Sequence, residues 1–436
     1  MRAFSLSSIV LISAVCVTTA AVGEDWPQWR GTQRDAVLRE TGLTKELPAG
    51  KLQRQWSVSI GAGYSGPTVA EGRVYVTDHG AGDEQEEVER VLCFDAQTGK
   101  QLWKHSYDVN YTISYRAGPR ASVTVDDGKA YSVGAMGNFF CFDAATGEIL
   151  WKRDLATDYH ARMPIWGITT APIIYHDTVI QIAAGDKDAC VVAMDRTTGK
   201  EVWHALDERA GYSSPILIKQ GDQDVLVCWT GESVSGLNPA NGKVFWSIAM
   251  LPRNMPIGVP TPVVQDDKLF VSSFYDGSML ILLDQDKPAA EKLWHRVGID
   301  EKNTDALHCM ISNPFIKGDY IYGVDSYGEM RCLDLANGDR VWEDQNAVNR
   351  ARWATIHTIR HGESEIMLNE QGELIFATVA PDGYHEHSRT NLISPTREQL
   401  NRRDGVVWSA PAIANGFIYA RNDKELVCAS LLPDRR

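Results

Sequence analysis

Leu92–Trp103 reads LCFDAQTGKQLW, and the chain repeats it: FCFDAATGEILW ends at Trp151 and VVAMDRTTGKEVW at Trp203. Each copy has a small residue, an Asp two positions on, a Thr-Gly pair, and a Trp ten positions after the small residue. The Gly suits the positive-φ position of a hairpin turn, and the apolar runs on either side suit strands. A Trp closes a copy at 56, 103, 151, 203, 246, 294 and 342, with gaps of 47, 48, 52, 43, 48 and 48. That period fits one four-stranded blade of a β-propeller.

A second mark opens each unit: a small-x-Pro triplet such as Ser65-Gly66-Pro67, Thr170-Ala171-Pro172, Ser213-Ser214-Pro215 or Ser409-Ala410-Pro411. Later copies drift. Asn238 replaces Asp in the fourth, the fifth carries two extra residues before Trp294, and the seventh has Val379 for Asp and His387 for Trp. The eighth ends after one more strand, Leu426–Ser430, with no partner behind it. Leu52–Ser59, around Trp56, supplies that strand and leaves no open edge. The expected fold is all-β: a single eight-bladed propeller over residues 51–436, closed by an N-terminal strand and preceded by an extension, 24–50. The small residue and the Trp are expected to dock blade on blade, the small slot offering a shallow site to the neighbour. Cys93, Cys141, Cys332 and Cys428 occupy that slot and read as packing residues.

The 436 residues carry a formal net charge of −14, which argues against a nucleic-acid partner. Met1–Gly23 has one Arg, an uncharged run and small residues before Glu24, the pattern of an export leader. Cys16 follows Val15, where lipid attachment takes a small residue, so cleavage rather than lipidation is expected. No other long apolar run follows, so no transmembrane span is expected after cleavage, and the chain is expected to be a monomer exported to the periplasm or cell envelope. Seven cysteines then remain, an odd number without any Cys-x-x-Cys.

In these repeats the chain resembles the pyrroloquinoline-quinone-type propeller family. Its small-x-Asp-x-x-Thr-Gly-x-x-x-Trp unit is similar to the tryptophan-docking motif of quinoprotein alcohol dehydrogenases and to the repeat of the non-catalytic outer-membrane assembly-factor lipoproteins. The stretch Asp25–Gly31, DWPQWRG, is similar to the start of exported propellers of planctomycete-type bacteria. The resemblance implies either a scaffold or a dehydrogenase holding pyrroloquinoline quinone with Ca²⁺. The dehydrogenases carry an adjacent Cys-Cys pair and large insertions, and this chain has neither. The first reading, a binding or scaffold module for a protein partner or small anionic ligand, needs no cofactor and no catalytic residue.

Candidate ligand-binding residues lie just before the small-x-Pro marks, where links between blades reach one face of the ring. They are Tyr64, Arg116, Arg120, Trp166, Tyr212, His308, Arg350, Arg352, Trp353 and Trp408. Arg offers paired donors to an anion and the aromatic rings offer a stacking surface. The alternative is that they fill the channel neck and pair with Asp305 or Asp404. His357 and His361, and His385 and His387, have metal-like spacing but read as packing or solvated side chains.

Overall fold

The computed structural model describes residues 23–81, 87–401 and 403–433. The expected leader falls on residues outside these, save Gly23. Eight four-stranded antiparallel sheets form the ring. Blade 1 runs Thr68–Ala70, Arg73–Ala81, Glu87–Asp95 and Gln101–Asp108 from the channel outward. Blade 8 takes Ala412–Ala414, Phe417–Arg421 and Glu425–Ser430 from the C-terminus and its outer strand, Arg54–Ser59, from the N-terminus. Trp56 sits opposite Cys428 in that closing pair. Leu155–Asp158 is the one α-helix among the described residues.

The Asp and Thr-Gly of the repeat build one turn. Asp95 Oδ1 accepts from Thr98 N at 2.8 Å and Thr98 Oγ1 at 2.7 Å, while Gly99 N donates to Asp95 O at 2.9 Å. Asp143 and Asp195 repeat it with Thr146 and Thr198. These donors hold the three carboxyls below their ordinary pKa, the Thr hydrogen bonds being the largest cause. Gly99 lies at φ +72°, where a Cβ is disfavoured.

The small slot differs from expectation. Cys93, Cys141, Ala193, Gly236 and Cys332 face the Trp of their own blade across the outer strand pair. The site offered to the neighbour is the turn itself. The Trp56 indole donates to Ala96 O at 2.9 Å, Trp103 to Ala144 O at 3.1 Å and Trp151 to Arg196 O at 3.0 Å, each on the next blade. Each ring lies against that turn's glycine: Gly99, Gly147 and Gly199. A small residue opposite lets the indole lean back over its own strand, and the turn glycine lets the next blade approach it.

Blade 7 has no such indole, since His387 turns to Thr378 at 2.7 Å. The extension covers this joint instead. Leu43, Leu47 and Leu52 are buried in one cluster with Leu374, Phe376, Leu392 and Ile413. Leu47 N donates to Ser388 Oγ at 3.0 Å and Thr44 N to Leu431 O at 2.7 Å, tying blade 7 to blade 8.

Candidate functional site

Links into all eight blades meet at one mouth of the channel. Tyr64, Tyr115, Trp166, Tyr212, Val259, Met310, Trp353 and Trp408, one from each link, line a cavity of ≈ 140 Å³. Its rings form a connected wall. Trp166 and Tyr212 lie 4.8 Å apart, Tyr115 meets Trp166 at 6.1 Å and Trp353 at 5.9 Å, and Trp353 meets Trp408 at 6.4 Å. Spacings of this order suit edge-to-face and offset packing. Tyr115 and Trp353 hold φ of 57° and 66°, a strained region for bulky residues. Two strained aromatics packed edge to face in one cavity wall mark a site whose shape the surrounding fold enforces.

The wall is anchored behind. Trp408 N donates to Gln399 Oε1 at 2.7 Å, Gln399 Nε2 donates to Gly63 O at 2.6 Å, and Tyr64 OH donates to Gln399 O at 3.0 Å. The buried Glu370 accepts from Trp408 Nε1 at 3.1 Å and pairs with Arg403 at 2.5 Å. Trp353 Nε1 is buried without a partner. Arg120 stacks 4.9 Å over Tyr64, and its guanidinium donates to the carbonyls of Ser114, Tyr115 and Gly118. Among the described residues no carboxylate lies within ion-pair distance of it, and burial lowers its pKa. His357 forms part of the floor, gives Nε2 to Trp408 O at 2.8 Å, and is pushed down to about 4 by burial, so it is neutral at pH 7. The cavity is therefore mainly apolar and aromatic, with one guanidinium and the hydroxyl residues Ser122, Thr169 and Ser214 in its lining.

Six of the ten candidates reach the cavity: Tyr64, Arg120, Trp166, Tyr212, Trp353 and Trp408. The other four need correction. Arg352 stacks 4.6 Å over Trp353, but it does not line the cavity, and its Nε–Nη2 edge is held by Glu301, at 2.7 and 2.6 Å. Arg116 pairs with Glu87 at 2.9 Å and Arg350 with Glu329 at 3.4 Å, both outside the cavity. His308 is buried away from the channel, its Nδ1 at Phe274 O and its Nε2 accepting from Gly298 N. Nor do the expected acidic partners serve these arginines. Asp305 is taken by Arg296 at 2.8 Å and Asp404 by Arg397 at 3.4 Å. His361 turns to Glu40 O at 2.9 Å, so it and His357 share no site.

The extension was missed as a site element. Asp25–Arg34 crosses the channel below the cavity, and Trp29 closes the cavity floor with its indole on Thr261 Oγ1 at 2.8 Å. Arg34 caps the carbonyls of Ala171 (3.2 Å), Pro172 and Pro215 (3.0 Å) at the starts of two inner strands. The two Trp and two Arg of DWPQWRGTQR carried the signal, but no repeat frames them.

A family profile described as outer membrane protein assembly factor BamB matches residues 87–344. The chain belongs to this PQQ-type propeller family. Solved structures share its fold: BamB from Moraxella catarrhalis at 15% identity and TM-score 0.56, covering 87% of this chain and 99% of that one. The quinohemoprotein alcohol dehydrogenase of Comamonas testosteroni aligns at 13% identity and TM-score 0.62, over 94% of this chain and 81% of that one. A europium-containing methanol dehydrogenase aligns at 13% and 0.60, over 93% and 89%. No curated protein sequence matches the chain. A quinone held with Ca²⁺ needs several oxygen ligands, carboxylates among them. The lining contains no Asp, Glu, Asn or Gln, so its donors do not fit that ion.

Proposed function

We propose that the chain is an exported, non-catalytic binding propeller whose aromatic cavity takes an apolar or aromatic side chain of a protein partner, with an acceptor or acidic group beside it. One observation carries this reading: rings from separate links, far apart in sequence, converge on an open apolar cavity that Trp29 closes from below. Arg120, which lines the cavity and stacks over Tyr64, supplies the cation for the acceptor or acidic group. Burial of one aromatic side chain contributes roughly 1.5–3 kcal/mol, a contact of about 5–100 mM that a partner's flanking contacts would strengthen. The family description, which names outer-membrane protein assembly, supports a protein partner, and the leader-like composition of residues 1–23 supports export.

The test is a titration with N-acetylphenylalanine and its amide, read by quenching of the protein's own tryptophans. Saturable quenching is expected, tighter for the acid, and lost in Trp166→Ala with an unchanged melt. Quenching that never saturates, or that survives Trp166→Ala, sinks the proposal.

A further inference from the structure

A second cavity, ≈ 750 Å³, opens at the other end of the inner strands, beneath the strap formed by residues 25–38. Arg30, Arg34 and Arg360 all line it. Arg34 is satisfied by strand carbonyls. Arg30 is not: it is 7% exposed, and Nη2 reaches Asp35 O at 3.2 Å while Nε and Nη1 are buried without a partner. Arg360 gives Nη1 to Ile316 O at 3.2 Å, and its Nε is also buried and unpartnered. The backbone holds the two together, since Ala36 N donates to Arg30 O at 3.0 Å and Arg360 N to Ala36 O at 2.8 Å.

Most acids near this cavity have ion-pair partners of their own, although Asp35 works against the burial that lowers the pKa of Arg30 and, with Glu365, of Arg360. Asp35 pairs with Arg39 at 2.5 Å and Asp126 with Arg196 at 2.6 Å; Asp266 sits on the far rim in a turn. Burial is the main cause that lowers Arg30, to about 10, and the neighbouring Arg360 adds to it. The group is still charged at neutral pH. A buried guanidinium beside a half-buried one, with three unpartnered nitrogens between them, is costly unless something accepts from them. A planar guanidinium fork matches an oxoanion.

We propose that this lower cavity is an oxoanion site in which Arg30 and Arg360 take the phosphate or carboxylate of a small molecule. The volume far exceeds a bare ion, and Ile216, Val263 and Phe315 line the remaining space, so the ligand carries an apolar body. This site is independent of the aromatic cavity above Trp29.

The experiment uses the full chain, with inorganic phosphate and acetate as separate arms and chloride at matched ionic strength as reference, read by melting and calorimetry. At least one of the two oxoanions should raise the melt saturably beyond chloride; the arm that responds identifies the head group. In Arg360→Gln its affinity should fall about ten- to a hundredfold, the loss of a charge-assisted contact. Arg30→Met should abolish the response while melting in chloride as high as wild type or higher, because an unpaired buried charge is gone. Should Arg30→Met fail to fold, Arg360→Gln still decides. No rise beyond chloride in either arm, or an unchanged rise in Arg360→Gln, overturns the proposal.

Discussion

Gly99→Ala tests how the ring is closed. Gly99 sits at φ +72°, so a Cβ there costs about 1–2 kcal/mol in backbone strain. That Cβ would also lie 2.8 Å from Trp56 Cδ2, and such overpacking adds about 1–3 kcal/mol. Gly128 separates the two costs: its φ is +69° and nothing lies within 4 Å of its added Cβ, so Gly128→Ala should show the strain alone. Trp56→Ala should cost about 3–5 kcal/mol, including the bond to Ala96 O, because the indole is 9% exposed between blades 8 and 1. In the double variant the clash vanishes with the indole. The pair should therefore cost about 1–3 kcal/mol less than the sum of the single changes. Urea unfolding followed in parallel by circular dichroism and fluorescence gives these values if the two transitions coincide. Gly99→Ala costing no more than Gly128→Ala, or a double variant additive within about 0.5 kcal/mol, would refute the docking argument.

Three further outcomes are expected. Cys93, Cys141, Cys332 and Cys428, each opposite a Trp and buried, should tolerate Ala at under about 1.5 kcal/mol apiece by urea melts; burial pushes the Cys93 thiol up to about 12, so thiol reagents should label it only after denaturation. His357 is held near 4 against an ordinary 6.5, mainly by burial, so the unfolded chain binds its proton first as pH falls. Its contribution, about 3 kcal/mol, is complete above pH 6.5 and lost progressively down to pH 4; a pH series in which His357→Asn follows the same curve as wild type would contradict this. Arg352→Ala should weaken N-acetylphenylalanine less than about threefold, since Glu301 already holds the guanidinium, and a tenfold loss would put Arg352 in the site.

The propeller was legible because its determinants repeat. Asp95, Gly99 and Trp103 make contacts set by the hairpin and by one neighbouring blade, so the same spacing returns every unit. The closing strand was legible for the same reason, as Trp56 is one more copy of the closing Trp. Cavity walls such as Trp166 and Tyr212 could be read from their place before the small-x-Pro marks. Charges could not. Glu301, Glu87 and Glu329, which occupy Arg352, Arg116 and Arg350, come from other links or strands at separations with no period. His308 shares the link position of the walls, but its ring turns inward to Phe274 O and Gly298 N, a rotation that spacing does not encode. The strap from Asp25 to Leu52 occurs once, so nothing in the pattern said that it floors the cavity and covers the joint His387 leaves without an indole.

Whether this propeller binds without catalysing is tested most directly by incubating it with pyrroloquinoline quinone and Ca²⁺ and measuring dye-linked alcohol oxidation alongside the melt. The account predicts no Ca²⁺-dependent shift and no oxidation above quinone alone, because no carboxylate or amide side chain lines the aromatic cavity. A Ca²⁺-dependent rise in the melt together with sustained dye reduction, abolished by Trp353→Ala, would contradict it.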